Sequence, residues 1–66
     1  MRLTEFWARL EQVFGSVYAH SVASDQVLSQ LDGRTIEQAL TAGEAPAVVW
    51  RAVCAAYPDR VPPQLR

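Results

Sequence analysis

The sequence has no lysine, one cysteine, one histidine and no long apolar run, and each shortage excludes something. A lone cysteine, Cys54, cannot close an internal disulfide, whereas small secreted domains normally carry several. The reducing cytoplasm is therefore the expected compartment. Glu5 and Glu11 interrupt the apolar stretch a signal peptide would need near the N-terminus, so none is expected. No charge-free stretch is long and apolar enough to span a bilayer. His20 has no Cys, Asp or Glu at metal-ligand spacing, and reads as an exposed or partly packed residue. No Ser-His-Asp, Cys-His or paired-carboxylate pattern is present, so no catalytic residue, metal or cofactor is expected. With 66 residues there is room for one domain and few side chains to line a catalytic pocket.

What is present is ordinary for a globular domain. Half of the residues are hydrophobic, a fifth are charged and the net charge is −1. That excludes disorder, which needs fewer apolar residues and more net charge. All six basic residues are arginine, and alanine fills ten positions. This pattern fits the codon bias of a GC-rich genome; the functional alternative is a need for forked, bidentate contacts.

Gly15, Gly33, Gly43, Pro46 and Pro58 divide the chain into short blocks of helical periodicity. Leu3 to Phe14 is the clearest helix, with Thr4 as its cap and Gly15 as its stop. Leu3, Phe6, Trp7, Leu10, Val13 and Phe14 share one arc. Ser16 caps a second helix, Val17 to about Ser24, with Tyr18, Val22, Ala19 and Ala23 inward. Ser24 or Asp25 starts a short third helix carrying Val27, Leu28 and Leu31. Whether residues 16–31 make one bent helix or two is left open by the pattern. Thr35-Ile-Glu-Gln38 fits a capping box for the next helix, which Gly43 stops. Pro46 opens the last helix, with Val49, Trp50, Val53 and Tyr57 inward and Ala47, Val48, Arg51, Ala52 and Ala55 outward. Cys54, at the margin of the inner stripe, is expected to be buried and inert.

The expected fold is all-α, a compact bundle of four or five short helices whose second half is helix-turn-helix-like. Residues 1–57 form its single helical domain, and 58–66 a proline-rich, extended tail that Val61 and Leu65 can pin down. The expected core is Phe6, Trp7, Leu10, Phe14, Tyr18, Leu28, Leu31, Leu40, Trp50 and Val53.

The helix-turn-helix likeness rests on Ala39, Gly43 and Val49, which allow two helices to approach across a tight turn. Gln38 and Glu44 stand where such units carry apolar residues. The would-be recognition helix offers one arginine and no other side chain suited to base edges. A net charge of −1 also supplies little counterion-release affinity. Two helices packed at an angle is the plainer reading.

The ordered motifs do resemble one family. Met-Arg-Leu-Thr-Glu-Phe-Trp at the start, Val13-Phe-Gly15, Tyr18, Asp25 with Val27-Leu28, Gly33-Arg-Thr35, Ala39-Leu40 with Gly43, and Val49-Trp-Arg-Ala-Val-Cys54 resemble an actinobacterial family of small uncharacterised proteins, domain of unknown function 3046. The likeness covers nearly the whole chain; the proline-rich tail is its one departure. It implies a small cytoplasmic protein with no assigned activity, cofactor or site residue. Family members lie beside genes for a recombinase and its regulator, which implies a link to DNA repair or recombination.

The resulting expectation is a non-catalytic helical protein-interaction module. Its candidate surface is Arg34, Val48, Arg51 and Ala55, on the outer side of the second half. The partner would be another protein or a second copy of the chain, with no membrane involved. The alternative is a helix-turn-helix-like nucleic-acid-binding protein. Arg34, Arg51 and Arg60 flank the second half, and would supply an anion-binding patch if they converge in space.

Overall fold

In a computed structural model that describes all 66 residues, the punctuating residues lie at element boundaries: Gly15, Gly33 and Gly43 in turns, Pro46 at the start of the last α-helix and Pro58 just after its end. Helix α1 spans Leu3–Phe14. Its cap lies at Arg2 rather than Thr4, because the Glu5 carboxylate accepts from the Arg2 amide at 3.3 Å. That is the returning half of a capping box. Phe6, Leu10 and Phe14 are its buried stripe.

Gly15 ends α1 and alone separates it from helix α2, Ser16–Asp25. Its φ of 86° is costly for any residue with a Cβ. Its amide closes α1 on the Glu11 carbonyl at 2.7 Å, and its carbonyl starts α2 by accepting from Ala19 at 3.0 Å. Gly15 therefore takes the cap position expected of Ser16, which is the first helical residue.

Helix α2 buries only Ala19, Val22 and Ala23. Tyr18 was expected in the core but is 53% exposed. Ala19, Val22 and Ala23 form one i, i+3, i+4 line, the face by which α2 packs into the fold against α1 and the later helix α3, Ile36–Thr41. Tyr18 lies one step round the wheel and packs edge-to-face with Phe14, centroid to centroid at 6.2 Å.

The expected third helix does not form. Ser24 turns its hydroxyl back onto the His20 carbonyl at 2.9 Å, and α2 ends at Asp25. Strand β1, Val27–Leu28, then pairs antiparallel with β2, Arg34–Thr35. A 3₁₀ turn, Ser29–Leu31, lies between them. Asp32 and Gly33 both adopt positive φ, 59° and 77°, and reverse the chain. The three-residue spacing of Leu28 and Leu31 suits a 3₁₀ turn as well as a helix, and both are buried. Val27, which a helix would have turned inward, is 63% exposed. Residues 16–31 are therefore one helix followed by a hairpin.

Helix α3 has the expected capping box. The Gln38 amide donates to the Thr35 hydroxyl at 3.1 Å, and the Thr35 amide donates to the Gln38 side chain at 2.9 Å. Helix α4, Pro46–Ala56, has proline in its first turn and buries Val49, Trp50, Ala52 and Val53. Ala52 was expected outside. It is buried because α4 also packs against the Ser29–Leu31 turn, which widens its inner face.

The tail is folded back rather than extended. Val61 is buried in the same core as the helices. The Trp50 indole N–H donates to the Leu65 carbonyl at 2.8 Å, within a second 3₁₀ turn, Pro63–Leu65. Arg66 donates to the carbonyls of Val61 and Pro58. At the centre, the Phe6 ring meets Trp7 and Trp50 edge-on at 5.7 and 5.8 Å. Full burial of a side chain such as Phe6 contributes about 1.5–3 kcal/mol of transfer free energy. The sum is a mostly helical domain of four α-helices with one small two-stranded sheet.

Candidate functional site

The expected site residues separate into two groups. Val48, Arg51 and Ala55 lie on the outer side of α4, all exposed, with Val48 at 42%. The i, i+3, i+7 spacing places them along one line opposite the buried stripe. Arg51 reaches back towards the Ala47 carbonyl at 3.5 Å and has no carboxylate in salt-bridge range. Ala47 flanks this line half-buried, and Ala52 has left it for the core.

Arg34 is not part of that line. Its Nη2 donates to Glu44 Oε2 at 2.7 Å, and its Nε donates to the Leu31 carbonyl at 2.9 Å. The guanidinium ties the β2 end of the hairpin to the turn between α3 and α4. Arg60 lies elsewhere, 5.0 Å over the Phe14 ring. Arg34, Arg51 and Arg60 are each engaged in a different local setting.

A second surface was missed. Leu3 and Trp7 of α1 face Glu37, Leu40 and Thr41 of α3 across an open groove of about 330 Å³. Leu3 is 48% exposed, and Trp7 and Leu40, expected in the core, are only half-buried. The signal in the sequence was the i, i+4 pair of Leu3 and Trp7, which extends the apolar arc past what a six-residue α3 can cover. Behind the groove wall, Trp7 stacks on His20 with centroids 5.2 Å apart and planes at 22°. His20 Nε2 lies 3.7 Å from Glu11 Oε2. His20 thus belongs to an exposed stack beside the Glu11 carboxylate.

Cys54 is half-buried on α4. Burial pushes its thiol above the usual 9.0, and the charges of Arg66 and Arg9 pull the other way. No cluster of three or more His, Cys, Asp and Glu side chains occurs. Every buried side-chain nitrogen and oxygen has a hydrogen-bond partner. No helix is long and apolar enough to cross a membrane.

These features define a small helical domain with two solvent-facing surfaces, the outer side of α4 and the α1–α3 groove. The chain belongs to the family described as Protein of unknown function (DUF3046), whose model matches residues 1–64. The match includes most of the proline-rich tail, in keeping with the place of Val61 in the core. No curated protein and no solved structure was found to match the chain.

Proposed function

We infer that the protein is a non-catalytic helical interaction module of the cytoplasm, and that it docks a partner protein on the outer side of α4. The observation that carries this reading is the line Val48, Arg51 and Ala55. It pairs an exposed branched side chain with an arginine that no carboxylate of the fold neutralises. Arginine beside apolar surface is a common anchor of protein interfaces. Arg34 supports the surface indirectly, by holding the α3–α4 turn.

The test is affinity capture from native lysate with the wild-type chain, Val48→Asp and Arg51→Glu. Both substitutions fall on exposed positions, so folding should persist. Partners recovered by the wild type and lost with both variants support the reading. Recovery of the same proteins by all three rejects it.

A second reading, nucleic-acid binding linked to DNA repair or recombination, draws on the α3–turn–α4 unit. Gly43, at φ 95°, allows the tight turn, and Arg51 projects from the second helix. This reading expects salt-sensitive binding to duplex DNA that Arg51→Ala weakens. Absence of a mobility shift at low salt would remove it.

A further inference from the structure

The groove between α1 and α3 goes beyond the α4 surface, and its chemistry is specific. Leu3, Trp7 and Leu40 make it apolar, and Glu37 is the one charged side chain that lines it. Glu37 is exposed and has no cation in salt-bridge range; the acids that do have a basic neighbour are Glu44, with Arg34, and Glu11, with His20. The wall is preformed, because Trp7 is held between the edge contact with Phe6 and the stack on His20. A preformed wall lowers the entropy cost of binding.

Spacing narrows the occupant. On α3, Glu37 lies one helical turn before Leu40 and Thr41, so their Cβ atoms are about 5–6 Å apart. A helical ligand with an aliphatic side chain and a cation three or four residues apart matches both at once. We propose that the α1–α3 groove docks a helical segment of a partner protein, which inserts a bulky aliphatic side chain between Trp7 and Leu40 and places an arginine or lysine one turn away on Glu37.

This chain itself presents such a pair, Val48 and Arg51. The α4 line and the groove are different patches, so their contact between copies would be head-to-tail, and such contacts extend into rings or filaments. A segment of another protein meets the same chemistry without that consequence.

The test uses the full chain, isotope-labelled, and two synthetic alanine-based helical peptides. One carries leucine and arginine four positions apart; the other has glutamate in place of that arginine. The arginine peptide should shift the amide resonances of Leu3, Trp7 and Leu40. Its affinity should fall about fivefold with Glu37→Lys, the size of one exposed charge pair. The glutamate peptide should bind the wild type more weakly and gain on Glu37→Lys. Leu3→Asp, also at an exposed position, should weaken both peptides, and Val48→Asp should change neither. That last variant separates this proposal from the α4 reading. Equal binding of the two peptides, or no shift at millimolar peptide, would overturn it. So would shifts centred on Val48 and Arg51. Concentration-dependent shifts of the groove without peptide would assign it to a second copy and overturn the foreign segment.

Discussion

Arg34 on β2 and Glu44 in the α3–α4 turn are joined by a 2.7 Å contact, although they stand ten positions apart in the sequence. Both side chains are about one-third exposed, at 31% and 38%. Solvent therefore screens the charge pair, and about 0–1 kcal/mol is its expected worth. The Leu31 carbonyl adds a second bond to the same guanidinium. Arg34→Ala should cost about 1–2 kcal/mol in urea unfolding, because it removes both contacts. Glu44→Ala should cost less, since the Leu31 contact survives. Arg34→Lys should not restore the wild-type value, because an ammonium cannot meet both acceptors with the geometry of a guanidinium. Equal losses for Arg34→Ala and Glu44→Ala would contradict this division.

The cap of α3 offers a sharper case. Six residues make too short a helix to persist on propensity alone. Thr35 is buried, and its hydroxyl and amide both pair with Gln38. Thr35→Ala should destabilise the domain by about 1–2 kcal/mol, and Thr35→Ser by distinctly less. Chemical denaturation of the two variants checks this. Because Glu37, Leu40 and Thr41 are on α3, Thr35→Ala should also raise amide exchange along the groove wall.

The same box shows what could be read in advance. A capping box is local: Thr35 and Gln38 need only their own backbone, so the motif fixed α3 without knowledge of the rest. The ends marked by Gly15, Gly43 and Pro46 were legible for the same reason. Tyr18, Val27 and Ala52 were misplaced because their burial depends on the neighbour that each helix face meets. The spacing of Leu28 and Leu31 does not distinguish a helix from a 3₁₀ turn, and the positive φ of Asp32 decides for the hairpin. On the candidate surface, Val48, Arg51 and Ala55 followed from helical spacing. The pairing of Arg34 with Glu44 did not, since it needs the hairpin to bring β2 against the α3–α4 turn. The groove depends on how much of Trp7 and Leu40 the short α3 leaves uncovered, which is a tertiary quantity.

The tail should behave as part of the domain. Trp50→Phe keeps an aromatic ring at the site but removes the indole N–H that holds the Leu65 carbonyl, together with part of a buried side chain. It should cost about 2–3 kcal/mol, the lost hydrogen bond and the void both contributing, with faster amide exchange at Leu65 and Arg66 as the signature of the lost bond. Val61→Ala removes two buried methyl groups and should cost about 1–3 kcal/mol. If shortening the chain after Pro58 left the melting temperature unchanged, the tail would be an appendage and both expectations would fail.

Cys54 links the core to alkaline pH. Burial raises the pKa of its thiol above 9.0 in the folded chain, so the folded state holds its proton where the unfolded state has begun to lose it. Stability then falls as pH rises where the unfolded state binds fewer protons. The contribution is constant below the unfolded value, declines from about 9.0 upward and levels off above the raised folded value. Cys54→Ala should flatten this part of the alkaline stability profile, measured by urea unfolding across the alkaline range. The same raised pKa keeps the thiol protonated at neutral pH, so alkylation of the native chain should be slower than that of the urea-unfolded chain. Native labelling as fast as unfolded labelling would show that burial does not control this thiol. The charges of Arg9 and Arg66 oppose the shift, so Arg66→Ala should slow native labelling further.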